Sequence, residues 1–78
     1  MATNDFRDLL GESLNNGDTI AYYAPYKKKP AMWVGVVLGV FKEDGEPVVK
    51  VEVHSCSRPI EIKPEPMFIK FLDRIVKL

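Results

Sequence analysis

The chain of 78 residues holds one cysteine and one histidine, and equal numbers of basic and acidic side chains. Each scarcity excludes something. Cys56 alone forms no intramolecular disulfide, so the stapled scaffold of small secreted domains is ruled out and a reducing cytoplasm is the expected compartment, the host's if the protein is viral. A zinc site needs three or four ligands, and a thiol nucleophile needs a base and an orienting group. His54 and Cys56 across a tight turn supply neither. Asp18 with Thr19 reads as a turn and cap pair, and Glu61 with Glu65 has no neighbour in sequence that would raise a carboxyl pKa. No catalytic residue, metal or cofactor is therefore expected, and the chain does not read as an enzyme.

Eleven Lys and Arg balance eleven Asp and Glu, so no overall field draws the chain to nucleic acid or to an anionic membrane. The distribution is uneven, because residues 1–26 carry a net charge of −3 (Arg7 against Asp5, Asp8, Glu12 and Asp18) and residues 27–78 a net +3. Long apolar stretches are missing too. Ala31 to Phe41 is too short to span a bilayer. The opening Met1 to Phe6 has neither a basic start nor an apolar core, so the expectation is a soluble, untargeted protein.

What the chain does contain is a series of short β-rich runs separated by proline, glycine and charged turns, at a length that suits one domain with one small core. Asp18 to Ala24 alternates, with Ile20, Tyr22 and Ala24 on one face. Pro25 ends it. The loop Pro25-Tyr26-Lys27-Lys28-Lys29-Pro30 is rigid, basic and exposed, since three adjacent ammonium groups cannot be buried together. Met32 to Phe41 is the strongest strand, in which Gly35 permits close backbone approach and Gly39 marks a bulge. The Asp44-Gly45 turn then leads into Val48 to His54, with Val49, Val51 and Val53 inward.

After a turn at Ser55 to Pro59, Ile60 to Lys63 reads as an edge strand open to pairing with a partner or a second copy, which leaves a homodimer open. Met67 to Phe71 and Arg74 to Leu78 follow as strands, with a single 3₁₀ turn at Leu72-Asp73. Ahead of the sheet, Phe6, Leu9, Leu10 and Leu14 fall at helical spacing. Thr3 or Asn4 offers a cap, so residues 1–16 are expected to form a short helical arm.

The sequence Gly17-Asp18-Thr19-Ile20-Ala21-Tyr22, the loop, the Gly35-Val36-Val37 strand, the Asp-Gly turn and the closing Arg74-Ile75-Val76-Lys77-Leu78 together resemble the SH3-like small barrels, in their KOW-like form. Small bacteriophage proteins share the opening and closing motifs. The resemblance covers residues 17–78. It implies a mainly β barrel of five to six antiparallel strands, preceded here by the helix. It also implies a non-enzymatic binding module, since such barrels mostly hold protein, RNA or DNA on their loops and one open face.

The residues expected to carry binding are Tyr23, Tyr26, Lys27, Lys28, Lys29 and Trp33. In the first reading a protein partner, such as a host protein of a phage, lies in an aromatic groove formed by Tyr23, Tyr26 and Trp33, with Glu43, Asp44 and Glu46 facing it. In the alternative, the same aromatics stack bases while the lysines meet phosphates of DNA or RNA.

Overall fold

The computed structural model describes residues 6–62 and 65–78. The architecture is mainly β. Strands β1 (Thr19–Tyr23), β2 (Met32–Glu43), β3 (Glu46–Cys56), β4 (Met67–Ile69) and β5 (Ile75–Lys77) form one five-stranded sheet in the order β4-β3-β2-β1-β5. Every pairing is antiparallel.

The β2–β3 hairpin is the longest feature, and its turn follows from local chemistry. Asp44 (φ 52°) and Gly45 (φ 80°) both adopt the left-handed conformation of a two-residue hairpin turn, closing the Glu43–Glu46 pair. Asp-Gly reaches that geometry at low cost. The register slips twice, between Val34 and Gly35 and between Val37 and Gly39, which bends both strands. At Gly35 a Cβ would collide with the Glu52 carbonyl oxygen and stand 2.6 Å from a Val51 methyl, so only glycine lets the two backbones close there.

One face of the bent sheet builds the core. Ile20 and Tyr22 of β1, Trp33 and Val37 of β2, Val49 and Val51 of β3, Ile69 and Ile75 are buried. The alternation expected for Ile20 and Tyr22 and for Val49 and Val51 holds, with Val53 half-buried. The Tyr22 and Trp33 rings stack at 6.3 Å with 7° between their planes. A 3₁₀ turn, Leu72–Arg74, carries the chain from β4 to β5.

Three expectations need correction. First, residues 6–16 contain no helix, while the proposed caps Thr3 and Asn4 lie outside the described residues. Phe6 to Leu14 instead forms a closed loop in which Leu14 N–H donates to the Phe6 carbonyl at 2.8 Å and Arg7 bridges Ser13. The cause is Asp8: its Oδ1 accepts the backbone N–H groups of Leu10 (2.9 Å) and Glu12 (2.8 Å), which in a helix would serve the helix ladder. Gly11 at φ 83° completes the turn. Leu14 is buried in the core, whereas Leu9 and Leu10 stay exposed, so the helical spacing was coincidental.

Second, residues 60–62 are not a strand, and Lys63 lies outside the described residues. Ile60 N–H donates to the Arg58 carbonyl two residues back, which turns the chain rather than extending it. Residues 60–62 therefore offer no strand edge for pairing. Third, hydrogen bonding among the described residues does not close the sheet into a barrel, because β4 and β5 stand at opposite ends of the strand order. Pro25 follows β1 and Pro66 precedes β4 beside the gap, and neither has an N–H to donate across it.

The two edges differ. Along β5, Leu9 N–H donates to the Ile75 carbonyl at 2.8 Å, and Lys77 N–H donates to Asp8 Oδ2 at 2.8 Å. The N-terminal loop thus covers that edge. The outer edge of β4 has no such neighbour among the described residues.

Candidate functional site

The six residues singled out from the sequence are distributed over three places. Trp33 lies in β2 with its ring in the core, 5 % exposed, and its Nε1–H donates to the Ala24 carbonyl at 2.7 Å. This bond fixes where β1 runs into the basic loop. Tyr26 stands edge-on to Trp33, with ring centroids 6.3 Å apart and planes at 70°. Together they form one wall of a cleft of about 320 Å³, completed by Pro25, Val53, Ile60, Glu61, Ile62, Glu65, Pro66 and Met67.

Lys27, Lys28 and Lys29 occupy the exposed tip above that cleft. Tyr26 and Lys29 exchange both backbone hydrogen bonds, at 2.8 and 3.0 Å, so the tip is a miniature hairpin. Its two central residues, Lys27 (φ 50°) and Lys28 (φ 66°), are left-handed without being glycine or asparagine. Such backbone costs energy and is retained where the surroundings impose it. The Lys27 ammonium sits 5.4 Å from the centre of the Tyr26 ring, so one face of that ring already carries a cation. At the base of the loop, Arg58 Nε–H donates to the Pro30 carbonyl at 3.0 Å and Met32 N–H to Ser57 Oγ at 2.9 Å.

Tyr23 does not join the others. It is on the opposite face of β1 from Tyr22, lines a second cleft with Phe68 and Phe71, and has the Arg74 guanidinium 5.7 Å from its ring centre. Alternation along the strand dictates this separation. The acids expected to face the groove are also elsewhere: Glu43, Asp44 and Glu46 form the exposed tip of the long hairpin, and Glu61 and Glu65 line the cleft instead. Both lie beyond position 56, and no local pattern ties them to Tyr26.

His54 is exposed with Nε2 3.5 Å from Glu52 Oε1. Among the described residues no group of three or more His, Cys, Asp and Glu side chains is placed to hold a metal ion, and no helix is long and apolar enough to cross a membrane. Among the described residues Tyr22 is the one strongly shifted group: burial, with a smaller electrostatic effect of Cys56, pushes its phenol up to about 12. Its hydroxyl is buried without a hydrogen-bond partner. The chain matches no protein-family model, no curated protein and no solved structure.

Proposed function

We propose that the protein is a non-enzymatic binding module that holds a segment of a protein partner in the cleft walled by Tyr26 and Trp33. The observation that carries this reading is the cleft itself, in which two aromatic rings and two prolines, Pro25 and Pro66, stand beside the carboxylates of Glu61 and Glu65. Aromatic walls suit an extended, proline-rich segment whose conformation is already restricted. Acidic neighbours favour a basic side chain next to that segment.

The fold supports the same direction. A four-strand meander, a 3₁₀ turn and a last strand returning to β1 are the order that an SH3-like, KOW-like domain would have. The nucleic-acid reading has less support, because Tyr23 is on another face and does not share a stacking surface with Tyr26 and Trp33.

The experiment is retention of a proline-rich, arginine-bearing peptide on immobilised protein. Tyr26→Ala and the pair Glu61→Lys, Glu65→Lys abolish retention, while replacing Lys27, Lys28 and Lys29 with glutamine leaves it. Retention of single-stranded nucleic acid instead, lost with the lysines, refutes the reading.

A further inference from the structure

The second cleft lies where the sheet fails to close. On one side is the end of β1 with Tyr23, Ala24 and Pro25; on the other is β4 with Phe68, then Phe71. It encloses about 350 Å³, and no acidic side chain among the described residues lines it. Phe68 is 53 % and Phe71 60 % exposed, a large aromatic surface for so small a domain. Phe68 also meets Phe41 edge-on at 6.1 Å, which extends the patch over β2.

Two cations line this cleft, Lys70 and Arg74. The Arg74 guanidinium lies 4.7 Å from the Phe71 ring centre and 5.7 Å from that of Tyr23, within cation–π reach of both rings. No carboxylate among the described residues pairs with either cation. An arginine engaged by aromatic rings and not by a carboxylate has its guanidinium donors available to one.

We propose that this seam binds an extended acidic peptide segment, which adds as a strand to the outer edge of β4. The free edge supplies backbone hydrogen bonds, the Tyr23, Phe68 and Phe71 surfaces receive alternate apolar side chains, and Lys70 and Arg74 meet the carboxylates between them. The charge selects the occupant. A second copy of this chain pairing edge to edge through β4 adds its own Lys70 and Arg74 to a seam already lined by these two cations, which the like charges oppose. An acidic segment meets no such repulsion.

The test uses the full chain and a fluorescein-labelled peptide of alternating valine and glutamate, with a valine and lysine peptide as control. Fluorescence anisotropy shows saturable binding of the acidic peptide alone, and amide resonances of Met67 to Phe71 and Tyr23 shift on titration. The pair Lys70→Glu, Arg74→Glu weakens it by at least about tenfold. The milder Lys70→Gln, Arg74→Gln pair weakens it in the same direction, should the charge reversal perturb folding. Tyr26→Ala leaves it unchanged, which separates this seam from the proline-binding cleft. Equal binding of the lysine peptide, absence of binding, displacement by single-stranded DNA, or self-association of the chain through Phe68 each overturns the proposal.

Discussion

Asp8 and Lys77 join the two ends of the fold: the backbone N–H of Lys77 donates to Asp8 Oδ2 at 2.8 Å across 69 positions of sequence. The same carboxylate accepts Leu10 and Glu12, so one side chain turns the N-terminal loop and fastens it to the outer edge of β5. Lys77 reinforces the junction with its ammonium, 3.4 Å from Asp18 Oδ2 and from the Ser13 carbonyl.

Burial raises the Asp8 pKa, but the three N–H donors and the Lys77 charge outweigh it and leave the carboxyl below 3.8. A depressed folded-state pKa gives stability that is present above the ordinary value and is lost as pH falls through the depressed one. Thermal unfolding followed by circular dichroism should therefore show the midpoint of Asp8→Ala below that of the parent at neutral pH, with the gap narrowing under acid. Loss of these charge-assisted bonds costs roughly 2 kcal/mol. A gap that is constant down to strong acid contradicts this role.

Gly35 faces the Glu52 carbonyl with no space for a methyl group. Gly35→Ala forces β2 and β3 apart at the point where they bend, at a cost of about 2 kcal/mol or more. Urea denaturation measures it. Gly39 provides the contrast, because a Cβ there meets nothing within 4 Å, and Gly39→Ala should be milder.

Tyr22 is buried with its hydroxyl unpartnered. Tyr22→Phe removes a desolvated polar group while keeping the ring stacked on Trp33, and is expected to stabilise the fold by about 1 kcal/mol. In the parent protein, tyrosinate absorbance should show one phenol titrating near 12, with stability falling as pH rises above 10 toward that value. Destabilisation by Tyr22→Phe indicates that the hydroxyl has a partner after all.

Lys27 and Lys28 hold left-handed backbone at the tip of the basic loop. Replacing them with Asn-Gly suits the same turn and is expected to raise stability by about 1 kcal/mol. Since neither lysine lines the proposed peptide cleft, retention of the proline-rich peptide should be unchanged. A drop in stability means that the lysine side chains brace the loop.

The sheet was legible wherever local chemistry decides the backbone. Alternating valines placed Val49 and Val51 inward, Asp44-Gly45 announced its turn, Gly35 and Gly39 both fall at register slips, and Pro25 follows the end of β1. The N-terminal loop was not, because helical spacing of Phe6, Leu9, Leu10 and Leu14 says nothing of the bond between Asp8 and a strand near the other end of the chain. Tyr26 and Trp33, grouped in the sequence by their nearness to the basic loop, do line one cleft together. Tyr23 was grouped with them by nearness in sequence, although strand alternation sends it to the other face. Glu61, Glu65 and Met67 reach the cleft through tertiary folding alone.

Trp33, the chain's one tryptophan, lines the proposed cleft and so reports its occupancy directly. Its fluorescence, titrated with a proline-rich, arginine-bearing peptide and separately with single-stranded oligonucleotide at low and high salt, is the most direct measurement. The account predicts a saturable emission change with the peptide that Tyr26→Ala abolishes, and no change with the oligonucleotide. Saturable, salt-sensitive emission change with the oligonucleotide and none with the peptide contradicts it.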